Sequence, residues 1–175
     1  MEAETRPVQP SWKHSVLAGL QAGVLAGVVL VTWLLLAADW RRQSLWSVAN
    51  LFGGTFYPEL VFRSDFTRAT LAGLALPVFL SGCVGAAYGV MVAPIASSRS
   101  RGLLALATAL SWYYLSFALL WRRFNPALFH YGGREAFFIG HVLFGLVLAA
   151  QFYLEQALVA PAAESPQQPD EGRIQ

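Results

Sequence analysis

Charge is what this 175-residue chain has least of. Asp, Glu, Lys and Arg together make up 13% of it, where an ordinary soluble domain carries about a quarter. With 56% hydrophobic residues and a mean hydropathy of +0.49, that scarcity excludes a usual water-soluble fold and reads as an integral membrane protein. Cysteine is nearly absent too. The single Cys83 excludes an internal disulfide and a multi-cysteine metal site, and its default role is that of a small packing residue. No basic run occurs either: the net charge of +2 comes from cations scattered around apolar segments, so nucleic acid is not an expected partner. A Ser-His-Asp arrangement and a phosphate-cradling glycine motif are both missing, and no catalytic residue is assigned.

Four long apolar runs occupy the space instead. They predict helices at 15–38, 69–93, 102–121 and 136–157 within a transmembrane domain of residues 13–158. Each is ~30 Å long at the helical rise, the thickness of a hydrocarbon core. Strands would leave backbone groups unpaired in lipid. The first run is too long, and is followed by too many others, to be a removable signal peptide. Pro94 to Arg101 joins the second and third runs tightly, so the expected fold is an all-α, antiparallel four-transmembrane-helix bundle. In the longer first connection, Leu45, Val48, Ala49, Phe52 and Phe56 recur at helical spacing between Trp46 and Tyr57. That pattern predicts a short interfacial helix over about 44–53, stopped at Gly53-Gly54. Residues 1–12 and 159–175 are polar and proline-bearing and are expected to be mobile tails. Both termini should lie on one side of the membrane, while the arginines, spread over both sides, do not choose which.

Gly19, Gly23 and Gly27 form a GxxxGxxxG ridge beside Ala18, Ala22 and Ala26. Small residues at this spacing mark a face where helix backbones approach closely. The ridge serves either a dimer or partner, or the second span through Gly82, Gly85 and Gly89; Gly145 is the matching small residue of the fourth. A weak internal echo accompanies this: Trp40-Arg41-Arg42 and Gly53-Gly54 in the first half answer Trp121-Arg122-Arg123 and Gly132-Gly133 in the second. A two-hairpin repeat would produce it, and so would ordinary interfacial anchors and helix stops.

The fourth run, FFIGHVLFGLVLA, is interrupted by one imidazole, His141. His141, Gly145, Leu148, Phe152 and Glu155 share one helical face with Gln151 at its edge. Polar groups within a span usually face the bundle interior, so these form a candidate polar site, to which Gln21 on the first helix is expected to hydrogen-bond. His141 lies two turns, ~9 Å, from the helix end, within reach of a neighbouring helix or of the Asn125-Pro126 loop. His14 lies at the opposite membrane surface and His130 in a loop, so no metal site is assigned and no cofactor is expected.

The stretch FNPALFHYGGREAFFIGHVLFGLVLA resembles the end of a group of bacterial four-helix membrane proteins of unassigned activity, in which an Asn-Pro turn precedes a His-x-x-x-Gly helix. The resemblance spans Val16 to Leu154 and includes the glycine-rich first helix and GAAYG in the second. It implies a bacterial inner (plasma) membrane setting, and it singles out Asn125, Pro126, His141 and Gly145 for roles beyond filling space. The expected function is that of a non-enzymatic structural or accessory subunit, packing among membrane lipids against a copy of itself or a larger membrane complex. The alternative is a small-solute transporter or channel component. A haem- or metal-binding oxidoreductase subunit, resting on His141, Trp112, Tyr113 and Tyr114, is a third reading.

Overall fold

A computed structural model describes residues 12–163, with side chains for residues 12–158. Among these the regular structure is entirely helical: α1 (Trp12–Trp40), α2 (Ser47–Gly53), a single 3-10 turn (Pro58–Leu60), α3 (Arg68–Val92), α4 (Ser98–Leu115), a π-helical turn (Ser116–Trp121), α5 (Arg122–Phe124), α6 (Pro126–Tyr131), α7 (Arg134–Leu148) and α8 (Gln151–Ala163). Four stretches are long and apolar enough to cross a membrane: Trp12–Trp40, Arg68–Val92, Ser98–Phe124 and Arg134–Leu158. The third starts before the expected residue 102, since Arg101 is buried within the bundle. The fourth is interrupted at Ala149-Ala150 and runs on to Ala163, into the segment expected to be a tail. The rest of both expected tails lies outside the described residues.

The glycine ridge of α1 is occupied from within. A Cβ added at Gly23 would lie 2.8 Å from Gly85 Cα, one at Gly19 would lie 2.9 Å from Gly89 Cα, and one at Gly27 would lie 2.7 Å from Ser81 Cβ. Numbers rise along α1 as they fall along α3, and backbone meets backbone over three turns. Ser81, rather than Gly82, takes the place opposite Gly27. Gly82 meets the side chains of Leu20 and Val24 instead. The alanine ridge faces the other way, where Ala22 and Ala26 pack with Tyr88, Ala105, Ala109 and Phe144. Gly145 lets α7 settle onto α4 at Leu106 and Ala109.

The expected interfacial helix is present but is not interfacial in the sense expected, because α2 has no open face. Val48 to Gly53 are all buried, among Leu34 and Ala38 of α1, Trp121, Leu128 and Phe137. Gly53 and Gly73 permit this: a Cβ on Gly73 would come within 2.7 Å of Gly53 N. Asn50 makes the enclosure tolerable. Its Nδ2 donates to the carbonyls of Arg63 at 2.8 Å and Asp65 at 2.9 Å. Its Oδ1 accepts from the hydroxyls of Thr67 at 3.1 Å and Thr70 at 2.7 Å. Those two threonines also form the capping box that starts α3, so one buried side chain fastens α2, the loop and the next helix with no polar group left over.

If the α1–α3 approach holds the bundle together, Gly23→Leu should force the two backbones apart and lower stability in detergent by about 2 kcal/mol or more. Gly102→Leu is the control, because a Cβ there meets nothing within 4 Å. Equal melting temperatures for the two variants would show that the ridge is not a packed contact.

Candidate functional site

Two polar sites lie inside the bundle, and the first is at the end where α1 begins. Arg101 of α4 donates through Nη1 to Glu155 Oε2 of α8, a salt bridge whose side chains are 6% and 3% exposed. Ser15 of α1 donates its hydroxyl to the other carboxylate oxygen. Arg101 Nε donates to Ile95 O at 2.6 Å, and Tyr88 of α3 donates its hydroxyl to Arg101 O at 2.6 Å. Gln151 makes long contacts to Ser15 O at 3.4 Å and Glu155 Oε2 at 3.5 Å, and its Oε1 is buried without a partner. The guanidinium also stands 5.4 Å from the Phe152 ring centre. All four spans therefore contribute to one cluster.

Gln151 and Glu155, expected on one polar face, both lie in this cluster, whereas Gln21, expected to hydrogen-bond with them, is exposed on the outside of α1. Position 21 falls between the glycine and alanine ridges' neighbours on the outer side of the helix, so the α1 contribution comes from Ser15, one turn before Gly19. Arg101 and Tyr88 are the other residues that pattern reading misses. A signal existed for Arg101: it lies on the stripe Arg101, Ala105, Ala109, Tyr113, every member of which is buried.

The second site is a central cavity of about 20 Å³, lined by Leu30, Pro77, Ser81, Trp112, Ser116 and His141 among others. That is room for roughly one water molecule. Three helices meet around it, and two of them depart from regularity. Pro77 removes a backbone donor from the middle of α3, α4 widens into its π-helical turn at Ser116, and α7 presents the imidazole. His141 is buried as expected, but its hydrogen bond differs from the expected one. Nδ1 lies 2.7 Å from Phe137 O in its own helix. A carbonyl only accepts, so Nδ1 carries the proton, and in the neutral ring Nε2 is left as an acceptor. The link to a neighbouring helix is a ring contact with Tyr113 of α4, at 5.3 Å between centroids.

Asn125 sits at the far end and performs two tasks. Its Oδ1 accepts from Leu128 N at 3.0 Å and so caps α6, with Pro126 as the first helical residue. Its Nδ2 donates to Leu51 O at 2.7 Å and Thr55 Oγ1 at 2.9 Å, which ties the second half of the chain to α2. Gly133, at φ 79°, then turns the chain into α7. His130 is exposed, with its ring against Phe129. Among the described residues no three of His, Cys, Asp and Glu gather at metal-binding range.

An isolated charge is far costlier inside the bundle than a paired one. Arg101→Met, which strands Glu155, should therefore destabilise the protein by about 3–5 kcal/mol, while adding Glu155→Leu to it should recover much of that loss. A double-mutant cycle of unfolding in detergent measures the coupling. Strictly additive losses would show that the two charges do not act as a pair.

Compared with known proteins, this chain matches no family model, no curated protein and no solved structure.

Proposed function

We propose that the chain is a multi-pass integral membrane protein whose four long helices form an antiparallel transmembrane bundle. In this reading both termini lie on one side, and the protein serves as a non-enzymatic structural or accessory subunit. The observation that carries this reading is where the interior polar groups go. Ser15, Tyr88, Arg101 and Glu155 bind one another across four helices, and Asn50 and Asn125 fasten the loop end. Polar groups in lipid have no water to turn to, so pairing them inside is what a spanning bundle requires. The outer faces support the same reading, with Leu25, Val28, Leu36, Phe79, Leu103, Leu119 and Leu146 exposed. The likeness to bacterial four-helix proteins supports the inner (plasma) membrane as the location.

With the glycine ridge taken by α3, a partner or second copy has to meet one of these outer faces instead. Cys83 is exposed on α3 and reports on that face. The protein is expected to stay in the membrane pellet after alkaline and high-salt washing, which remove proteins held by charge alone. In membranes, oxidation or a thiol-reactive cross-linker should trap Cys83 in a product larger than 19.1 kDa. Release into the supernatant would overturn the membrane reading. A chain that stays monomeric under both Cys83-directed and amine-directed cross-linking would overturn the subunit reading.

A small-solute transporter or channel component is the second reading, and the central cavity favours it. Broken helix geometry at membrane depth is tolerated where it lines a cavity, and Pro77, the π-helical turn and His141 meet at one. In proteoliposomes this reading expects proton or solute leakage above that of protein-free vesicles, reduced severalfold by His141→Ala. Vesicles as tight as the protein-free control would exclude it.

A further inference from the structure

Some arginines of the bundle have a carboxylate partner and others do not; Arg63 and Arg68 pair with Asp65 and Glu59. At one end Arg101 is buried and paired. At the other, Arg41, Arg122 and Arg134 are exposed, and among the described residues no carboxylate forms a salt bridge with any of them. Arg122 and Arg134 both line a cleft of about 340 Å³ where the third candidate span ends and α7 begins. Tyr113, Tyr114, Phe117 and Phe129 form the rest of its wall. The Arg134 guanidinium is held 5.5 Å from the Phe129 ring centre, which orients it without neutralising it. The same end of the cleft abuts the start of α7, whose Gly133 N-cap supplies no side chain to its first amide groups. The Arg41 guanidinium lies against Gly133. The nearby acid, Glu135, lines an adjoining groove that shares Tyr113 and Arg134 with this cleft, and it forms no salt bridge with Arg134.

We propose that this cleft binds the phosphodiester headgroup of an anionic membrane lipid, with Arg122 and Arg134 holding the phosphate. The inference rests on the membrane reading above. Guanidinium groups present planar pairs of donors that match phosphate oxygens, and two of them without a carboxylate partner leave a net positive, concave site. The aromatic wall suits the glycerol and upper acyl region. Exposed Leu115 and Leu119, next in sequence to the lining residues Tyr114 and Ala118, and Phe138 and Ile139 of the adjoining groove supply an apolar track for the chains. Both arginines sit at the ends of candidate spans, Ser98–Phe124 and Arg134–Leu158, which is the level of a headgroup in a bilayer. A free phosphate would use the same two arginines and would have no use for the track.

Thermal unfolding in mixed micelles tests the proposal, with phosphatidylglycerol, phosphatidylcholine and inorganic phosphate as separate additions to the purified full chain. Phosphatidylglycerol should raise the melting temperature in a saturable way, and phosphatidylcholine and phosphate should not. In the Arg122→Gln/Arg134→Gln variant the apparent affinity for phosphatidylglycerol should fall by roughly tenfold or more. Arg99→Gln, which removes an exposed arginine at the opposite end, should leave it unchanged. An equal response to phosphatidylcholine, or an unaltered affinity in the double variant, overturns the site. A response to inorganic phosphate equal to that of the lipid overturns the lipid as its ligand. Alkaline extraction separates the failures: a chain that pellets but lacks the phosphatidylglycerol effect refutes this site alone, and a chain that is released refutes the membrane reading beneath it.

Discussion

The contact of Gly23 with Gly85 sets the distances on which the remaining packing depends. With no room for a Cβ between the two backbones, α1 and α3 are in main-chain contact, and dispersion between main-chain atoms draws them together. Because α3 covers the glycine ridge, the alanine ridge is free to meet the second half of the chain. Small residues there bring in α4 and α7, and the space that they leave is filled by Tyr88 and Phe144. The other half of the interior is built from Phe52, Phe117, Trp121 and Phe137, around a helix too short to span anything. The interior thus changes from small and tight to large and aromatic along its length, and the one-water cavity lies on the aromatic side, against Phe52, Trp121 and Phe137.

Polar pairing complements this. A guanidinium and a carboxylate removed from water lose several kcal/mol each of solvation even after relaxation, and geometry must restore it. Here the carboxylate accepts from Arg101 on one oxygen and from Ser15 on the other. Such a pair adds less to net stability than equally well-packed apolar groups would. What it adds is a requirement: α1, α4 and α8 satisfy it in one register, since sliding any of them by a turn leaves a charge unpaired. The loop end uses neutral amides for the same purpose, and those carry no comparable penalty.

The four spans were legible because length and lack of charge are properties of a segment by itself. The glycine ridge was legible for the same reason, and so were Gly85 and Gly89 as one of its two candidate occupants; the choice between α3 and a second copy needed α3 laid beside α1. Arg101 shows why the buried pair was not. A charge next to an apolar run reads as a boundary, and the carboxylate that cancels it is far along the chain at Glu155. Enclosure of α2 escaped notice because Asn50 and Gly53 look like the weak side of an amphipathic helix. They face α3 and the loop, with smallness and hydrogen bonding doing what hydrophobicity does elsewhere. Gln21 erred in the opposite direction: an amide near the end of a span can extend toward water, so polarity alone did not point it inward.

The enclosure of α2 has a bearing on how the chain is made. Residues 47–53 are made before α3, α6 and α7, yet their burial needs Gly73, Leu128 and Phe137 around them, and Asn50 needs Thr67 and Thr70. During synthesis this segment has no pocket to enter, and an amide with four empty hydrogen-bonding positions keeps it in contact with water. Completion of α3 supplies the amide's partners, and only Phe137, eighty-four residues or more after α2 has emerged, closes the wall. Burial of this early segment therefore depends on residues made late. A translation pause or truncation between α3 and α7 would leave a waiting, half-satisfied helix, the kind of species that quality-control proteases recognise.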